Sequence, residues 1–193
     1  MSNSKIDKKT LAYIVGVALG DGGLSNPNGR AVRLRISCDT KYPAIIENIT
    51  SAIKKLLPTN KISQVKMKAR CVDISCYSNK WESLLGWKAR GGSKEKQKVK
   101  IPDWIKNNKT YSRYCLRGLF ETDGSVYTDR GYKMANFVTI IPTLANDVME
   151  IITMLGFKPN IQKIKKENGK TKHTIRISKN TEKFIKLIEI DKS

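Results

Sequence analysis

Apolar positions along the chain follow two different periods, and the switch between them occurs twice. Residues 11–19 (LAYIVGVAL) carry no charged side chain, which predicts a helix buried on most faces. The helix runs into Gly20-Asp21-Gly22 and then a strand-like stretch. A turn at Asn28-Gly29 leads to a second strand, AVRLRIS at 31–37, where apolar and polar residues alternate. A helix over 43–57 follows, then strands near 62–69 and 71–77, then a short helix over 78–85. The order recurs from Tyr114. YCLRGLFETDGSVY at 114–127 again runs apolar at helical spacing into Asp-Gly and a strand. After it come a turn at Asp129-Arg130-Gly131, a strand around 134–140 and a helix over 143–155. Strands near 161–166 and 173–178 are separated by Asn168-Gly169, a strong hairpin signal, and a helix over 179–188 closes the chain.

Each half therefore reads αββαββα. The expectation is an α+β protein of two pseudo-twofold-related halves, residues 1–87 and 101–193, each with an antiparallel sheet. A basic, Gly-rich linker, KARGGSKEKQKVK at 88–100, joins them. Pro102 is expected near the start of a helix or turn opening the second half. Gly16 and Gly20, like Gly118 and Thr122, are small residues one helical turn apart. That spacing lets two helix backbones approach closely, which would justify glycines costing about 1 kcal/mol each against alanine.

Charge changes the picture most. The chain of 193 residues has 37 Lys plus Arg against 17 Asp plus Glu, a formal charge of +20. Such an excess is self-repulsive in a compact state and points to a polyanionic partner, nucleic acid above all. No apolar run is long enough for a membrane span, and MSNSKIDKK lacks a secretory h-region. The expectation is an intracellular protein, not secreted. Cys38, Cys71, Cys76 and Cys115 form no CxxC pair, so a zinc site is not expected. With His173 as the only histidine, HNH-type nuclease chemistry is excluded and a Ser or Cys hydrolase is disfavoured. A DNA-cutting reaction would have to run on carboxylates and a metal.

Asp21 and Asp123 suit that role. They occupy matching places in the repeat, 102 residues apart. An aspartate in the last helical turn faces the negative end of the dipole, unfavourable by about 0.3–1 kcal/mol, and a buried setting would add a desolvation penalty. Two such residues imply a shared cation. If the helices pack side by side, both carboxylates arrive together and make an oxygen-lined site suited to Mg²⁺ or a similar divalent cation such as Mn²⁺.

The stretches Val15–Gly22 (VGVALGDG) and Leu116–Gly124 (LRGLFETDG) resemble the two signature motifs of the LAGLIDADG homing endonucleases, and the element order extends the resemblance over nearly the whole chain. The resemblance implies a monomeric, two-motif enzyme. It would cut both strands of a long asymmetric double-stranded DNA target for the homing of an intron or intervening sequence. It implies Asp21 and Asp123 as metal ligands and catalytic residues, with the backbone carbonyls of Gly20 and Thr122 as auxiliary ligands. Leu19 stands where the namesake pattern has an acid, and Glu121 stands there in the second motif. The family also uses a lysine near each scissile phosphate. Lys94, Lys96 and Lys98 lie where the first half often carries it, with Lys96 and Lys98 as catalytic candidates and solvated linker charge as the alternative.

Period-two alternation supplies a DNA-binding face. Arg33, Arg35 and Ser37 are expected to point away from the core, with Lys66, Lys68 and Arg70 repeating the pattern. In the second half Lys133, Lys163 and Lys165, then Lys172, Thr174 and Arg176, complete it. Two such basic ribbons would form a saddle that fits a major groove. The rival is a non-cleaving relative, an RNA maturase or DNA-binding regulator, yet such proteins can lose their acids and this chain keeps both. An intein-embedded nuclease domain fits less well than a free-standing protein, since the chain begins Met-Ser without a splicing cysteine.

Overall fold

A computed structural model describes residues 6–67, 70–167 and 169–190. The first half contains α1 (Lys8–Gly20), β1 (Gly22–Ser25), β2 (Arg33–Asp39), α2 (Pro43–Leu56), β3 (Ile62–Lys66), β4 (Cys71–Tyr77) and α3 (Trp81–Leu85). The second contains α4 (Asp103–Lys106), α5 (Lys109–Thr122), β5 (Gly124–Asp129), β6 (Tyr132–Thr139), α6 (Pro142–Met154), β7 (Asn160–Lys165), β8 (Thr171–Ile177) and α7 (Thr181–Ile188). Apart from the added turn of α4, both halves have the expected order. Their antiparallel sheets also match, β1-β2-β4-β3 and β5-β6-β8-β7.

Local chemistry sets the element ends. Asp7 caps α1 by accepting from Lys9 N (3.1 Å), and Asn108 caps α5 by accepting from Thr110 N (3.0 Å) and Tyr111 N (3.1 Å). Pro43 and Pro142 sit in the first turns of α2 and α6, where the missing N–H is no loss. One face of each sheet is covered by helices and buries Leu34, Ile36, Ile74 and Cys76 in the first half and Ala135, Phe137, Ile175 and Ile177 in the second. Phe120, fully buried on α5, packs against Phe137 (5.9 Å) and Phe184 (5.2 Å).

The halves meet where α1 crosses α5. A Cβ at Gly16 would lie 2.0 Å from the Cys115 carbonyl oxygen, and one at Gly118 only 2.4 Å from that of Tyr13. Both obstacles are backbone, so no side-chain rotation relieves them. Beside the crossing, Tyr13 Oη donates to Glu121 Oε2 (2.7 Å) and Arg117 Nε to Glu121 Oε1 (2.7 Å). Glu121, at the variable acidic place of the second motif, thus serves the helix interface as a paired buried carboxylate. The 88–100 segment contains no helix or strand but is anchored at its exit. Val99 is buried and its carbonyl accepts from Thr143 (2.8 Å), while Asp147 on α6 accepts from Ile101 N (2.7 Å) and Lys106 Nζ (3.0 Å).

His173 is buried on the helix-covered face of β8, and neither ring nitrogen has a hydrogen-bond partner. Desolvation, with Lys163 adding to it, pulls its pKa below the usual histidine value. The folded state therefore binds the proton less well than the unfolded chain, and the stability tied to neutral His173 is lost as pH falls below about 6.5. Thermal melts between pH 7.5 and 5 should show that decline, and His173→Leu should flatten it; an unchanged slope in the variant would contradict the assignment. Gly118→Ala should destabilise the chain by about 3 kcal/mol or more, read as a lowered urea midpoint, because the new methyl meets immovable backbone.

Candidate active site

The crossing fixes where α1 and α5 end. Asp21 and Asp123 are their C-caps and share one conformation, φ −87°, ψ 4° and φ −87°, ψ 0°. The glycine after each is required by space: a Cβ at Gly22 would lie 2.5 Å from Ala18 Cα, and one at Gly124 2.5 Å from the Phe120 carbonyl oxygen. Each chain thus turns tightly from helix into the first strand of its sheet and leaves the aspartate at the corner. The two corners are adjacent. A Cβ on Gly20 would sit 2.1 Å from Thr122 Oγ1 and 3.4 Å from Asp123 Oδ2. Both aspartates are exposed, so the burial penalty considered from sequence does not arise; the helix-end penalty does.

Lys94 supplies what the sequence left open. Its Nζ donates to the carbonyl oxygens of Ala18 (3.1 Å), Leu19 (2.7 Å) and Gly20, the negative end of the α1 dipole. Burial lowers its pKa, and the fields of Asp123 and Asp21 oppose that shift. The ammonium is therefore within electrostatic reach of both carboxylates. Lys96 and Lys98, preferred from sequence, are exposed and make no such contact. The linker coils tightly here, with Gln97 N bonded to Ser93 O (3.1 Å) and Val99 N to Lys94 O (3.1 Å), and only Lys94 is turned inward. The Gly20 carbonyl, expected as an auxiliary metal ligand, is engaged by this ammonium.

A cleft of about 540 Å³ opens beside these groups, lined among others by Gly20, Lys94, Asp123, Thr139, Lys166, Lys170 and Lys172. Lys170 pairs across it with Glu95 (2.5 Å). Cys38, in contrast, is no nucleophile: burial and the charge of Asp21 push its thiol up to about 12. The donor set fits a hard divalent cation. Two exposed carboxylates meet at one place, and among the described residues no cluster of three or more His, Cys, Asp or Glu side chains forms a closed metal cage. Mg²⁺ and its relatives are typically held by one or two carboxylates, with water and substrate phosphates completing the shell.

The register corrects the expected DNA-binding face. Arg33, Arg35 and Ser37 on β2 do lie on the face away from the helices, aligned with Tyr77, Ser75 and Asp73. Lys66 is opposite Val72 and so shares the helix-covered face with Ile74. Lys163 and Lys165 are likewise opposite His173 and Thr171, and Lys133 is in phase with Ala135 and Phe137. The period was right and the phase wrong, because Val65 and Ile164 were taken for core residues. They are 52% and 46% exposed and occupy the open face themselves. Lys172, Thr174 and Arg176 share the open face of the second sheet, but Thr174 is buried at 8% exposure between Val138 and Gln162. Arg70 is exposed and precedes β4; Lys68 and Asn168 lie outside the described residues.

Comparisons with known proteins agree with this architecture. Residues 10–73 match the WhiA LAGLIDADG-like domain and residues 110–189 a LAGLIDADG-like domain. The crystal structure of I-DmoI with DNA and Mn superposes with a TM-score of 0.68 at 20% identity, covering 94% of this chain and 96% of that one. An I-DmoI variant with its target DNA in the presence of Mg gives 0.70 at 19% identity, covering 95% and 97%. The N-terminal LAGLIDADG domain of WhiA gives 0.67 at 16% identity, covering 98% and 88%. In sequence, the chain is 30% identical over 147 residues to a DNA polymerase of Thermococcus hydrothermalis, and 26% identical over 200 residues to the tRNA-splicing ligase RtcB of Methanopyrus kandleri. The matches cover 74% and 91% of this chain but only 8% and 20% of those proteins. No helix among the described residues is long and apolar enough to cross a membrane.

Proposed function

Since this is a LAGLIDADG protein with both motifs in one chain, we propose that it is a metal-dependent DNA endonuclease. It acts as a monomer inside the cell and breaks both strands of one long asymmetric duplex, as in the homing of an intron or intervening sequence. The observation that carries this reading is the meeting of Asp21 and Asp123 at the ends of two helices in backbone contact, with the Lys94 ammonium beside them. Asp21 and Asp123 would hold Mg²⁺ or Mn²⁺, which when bound supplies Lewis-acid activation of water and charge neutralisation at the phosphate. Lys94, already placed by three carbonyls, is positioned to donate to a non-bridging oxygen of the scissile phosphate and to stabilise the charge that develops there. Lys166, Lys170 and Lys172 line the approach. Arg33, Arg35, Ser37 and Arg176 on the open sheet faces hold the flanking duplex, arginines being suited to both phosphates and guanine edges.

A second reading has one observation in its favour. The first half matches the WhiA LAGLIDADG-like domain, and a protein of this fold could bind DNA as a regulator, or RNA as a maturase, without cutting. Both aspartates are present and both stand at the helix corners, which favours cleavage.

The deciding experiment is incubation of the purified chain and Mg²⁺ with a library of candidate insertion sites, reading double-strand ends by sequencing. Asp21→Asn and Asp123→Asn should each abolish cutting while leaving duplex binding within about twofold; full activity in either variant would remove the metal assignment. Lys94→Met should slow cutting by about a hundredfold, with Lys96→Met and Lys98→Met near the parent rate. Binding should weaken by about a thousandfold or more between about 50 and about 200 mM salt, and a flat response would count against the basic faces as the contact surface.

A further inference from the structure

The open faces of the two sheets can be compared row by row. Ser37 on β2 and Asn136 on β6 each stand six residues ahead of the proline that opens the next helix. Opposite them, at the same height, are Asp73 on β4 and Arg176 on β8. The third strands complete the rows with Val65 and Asn160. One sheet therefore reads Ser37–Asp73–Val65 and the other Asn136–Arg176–Asn160, with opposite charges at the matched central place.

Neither central residue looks accidental. Asp73 accepts from Ser37 Oγ (2.6 Å) and lies 3.7 Å from Arg35 Nη1; its side chain is 14% exposed against 53% for Arg35. A carboxylate on a surface that meets phosphates is repelled by them, so in a duplex complex it is better placed against a base edge than against the backbone. In the major groove the amino group at N4 of cytosine is the donor that a carboxylate takes. Arg176 is exposed, and Asn136 beside it is tied through Nδ2 to Tyr127 Oη (3.0 Å). A guanidinium takes the O6 and N7 acceptors of guanine.

We propose that Asp73 and Arg176 break the twofold symmetry of the target, Asp73 selecting cytosine in one half-site and Arg176 selecting guanine at the matched position of the other. A palindrome would show each half of the protein the same base at such matched positions, so the target departs from a palindrome there. The inference rests on the reading of the open sheet faces as a duplex-DNA surface. Asp73 is at the same time a positioning residue for Arg35 and Ser37.

The test is a binding selection with the full chain and a randomised duplex library in chelator, so that no strand is cut, followed by sequencing of the retained DNA. The expected result is cytosine at one position and guanine at its symmetry mate. Asp73→Asn should reduce the cytosine preference about tenfold and leave the other half-site unchanged. It should also raise retention of random duplex, because a negative charge has gone; a merely structural carboxylate would do neither. Arg176→Gln should move the guanine preference towards adenine. Thermal melts of both variants within a few degrees of the parent would show that folding is not the cause. The same base at the two matched positions, or an Asp73→Asn protein with undiminished cytosine preference, would overturn the proposal while leaving DNA binding standing. Failure to retain any duplex would instead overturn the reading of the sheet faces on which it rests.

Discussion

Everything in this molecule depends on the backbone contact between α1 and α5. The approach at Gly16 and Gly118 leaves no room for a methyl group, and it decides three things together. It joins the halves, it aligns the two helix C-termini, and it places the two C-cap aspartates at one point. Dispersion between backbones is weak per atom, and glycine weakens a helix from within. The interface is therefore completed by the buried Glu121 carboxylate with Tyr13 and Arg117. Such a network is costly if half-satisfied and fixes one geometry when complete. The halves are thus held at the tolerance a shared metal site needs.

The same geometry creates an electrostatic problem at the helix ends. Two dipole termini and two carboxylates converge there, all negative. Lys94 relieves part of it by lying across the last carbonyls of α1. This gives the linker a role its composition hides. A Lys- and Gly-rich stretch reads as solvated charge, yet its coil turns one lysine of three into the site and leaves the others outside. The asymmetry also separates the halves chemically: the described residues place this ammonium on the α1 carbonyls, whereas the last turn of α5 is finished by the hydroxyl of Thr122, bonded to its own helix at Gly118 and Leu119.

What was legible in the sequence follows from what is local or repeated. The helix ends at Asp-Gly, the prolines at α2 and α6 and the alternation on β2 are encoded within a few residues, and the duplication makes each half check the other. The central aspartates were legible because their helix-end position is unfavourable without a cation. The phase of β3 and β7 was not. Which face of an edge strand meets the helices is set by its partner's register, and Val65 and Ile164 carry apolar side chains outward. A rule that sends apolar residues to the core inverts both strands. Nor could spacing choose among Lys94, Lys96 and Lys98, since that choice is made by the turns that fold the linker against α1.

Those outward apolar residues bear on what the open faces are for. A sheet face evolved only to meet water has little reason to keep Val65 and Ile164 half-exposed at its edge strands, or to keep Asp73 among the arginines. Single exposed apolar side chains are ordinary. Arranged in rows with arginine, amide and carboxylate groups, they match the mixed acceptor, donor and methyl pattern that a major groove presents. A surface built for phosphates alone would be uniformly basic. On these sheets much of the lysine charge sits on the opposite phase or around the central cleft, while the open faces carry chemical variety. That division, charge for holding the backbone and varied side chains for reading the bases, is what a single chain with two unequal halves needs if it is to recognise an asymmetric sequence and act at its centre.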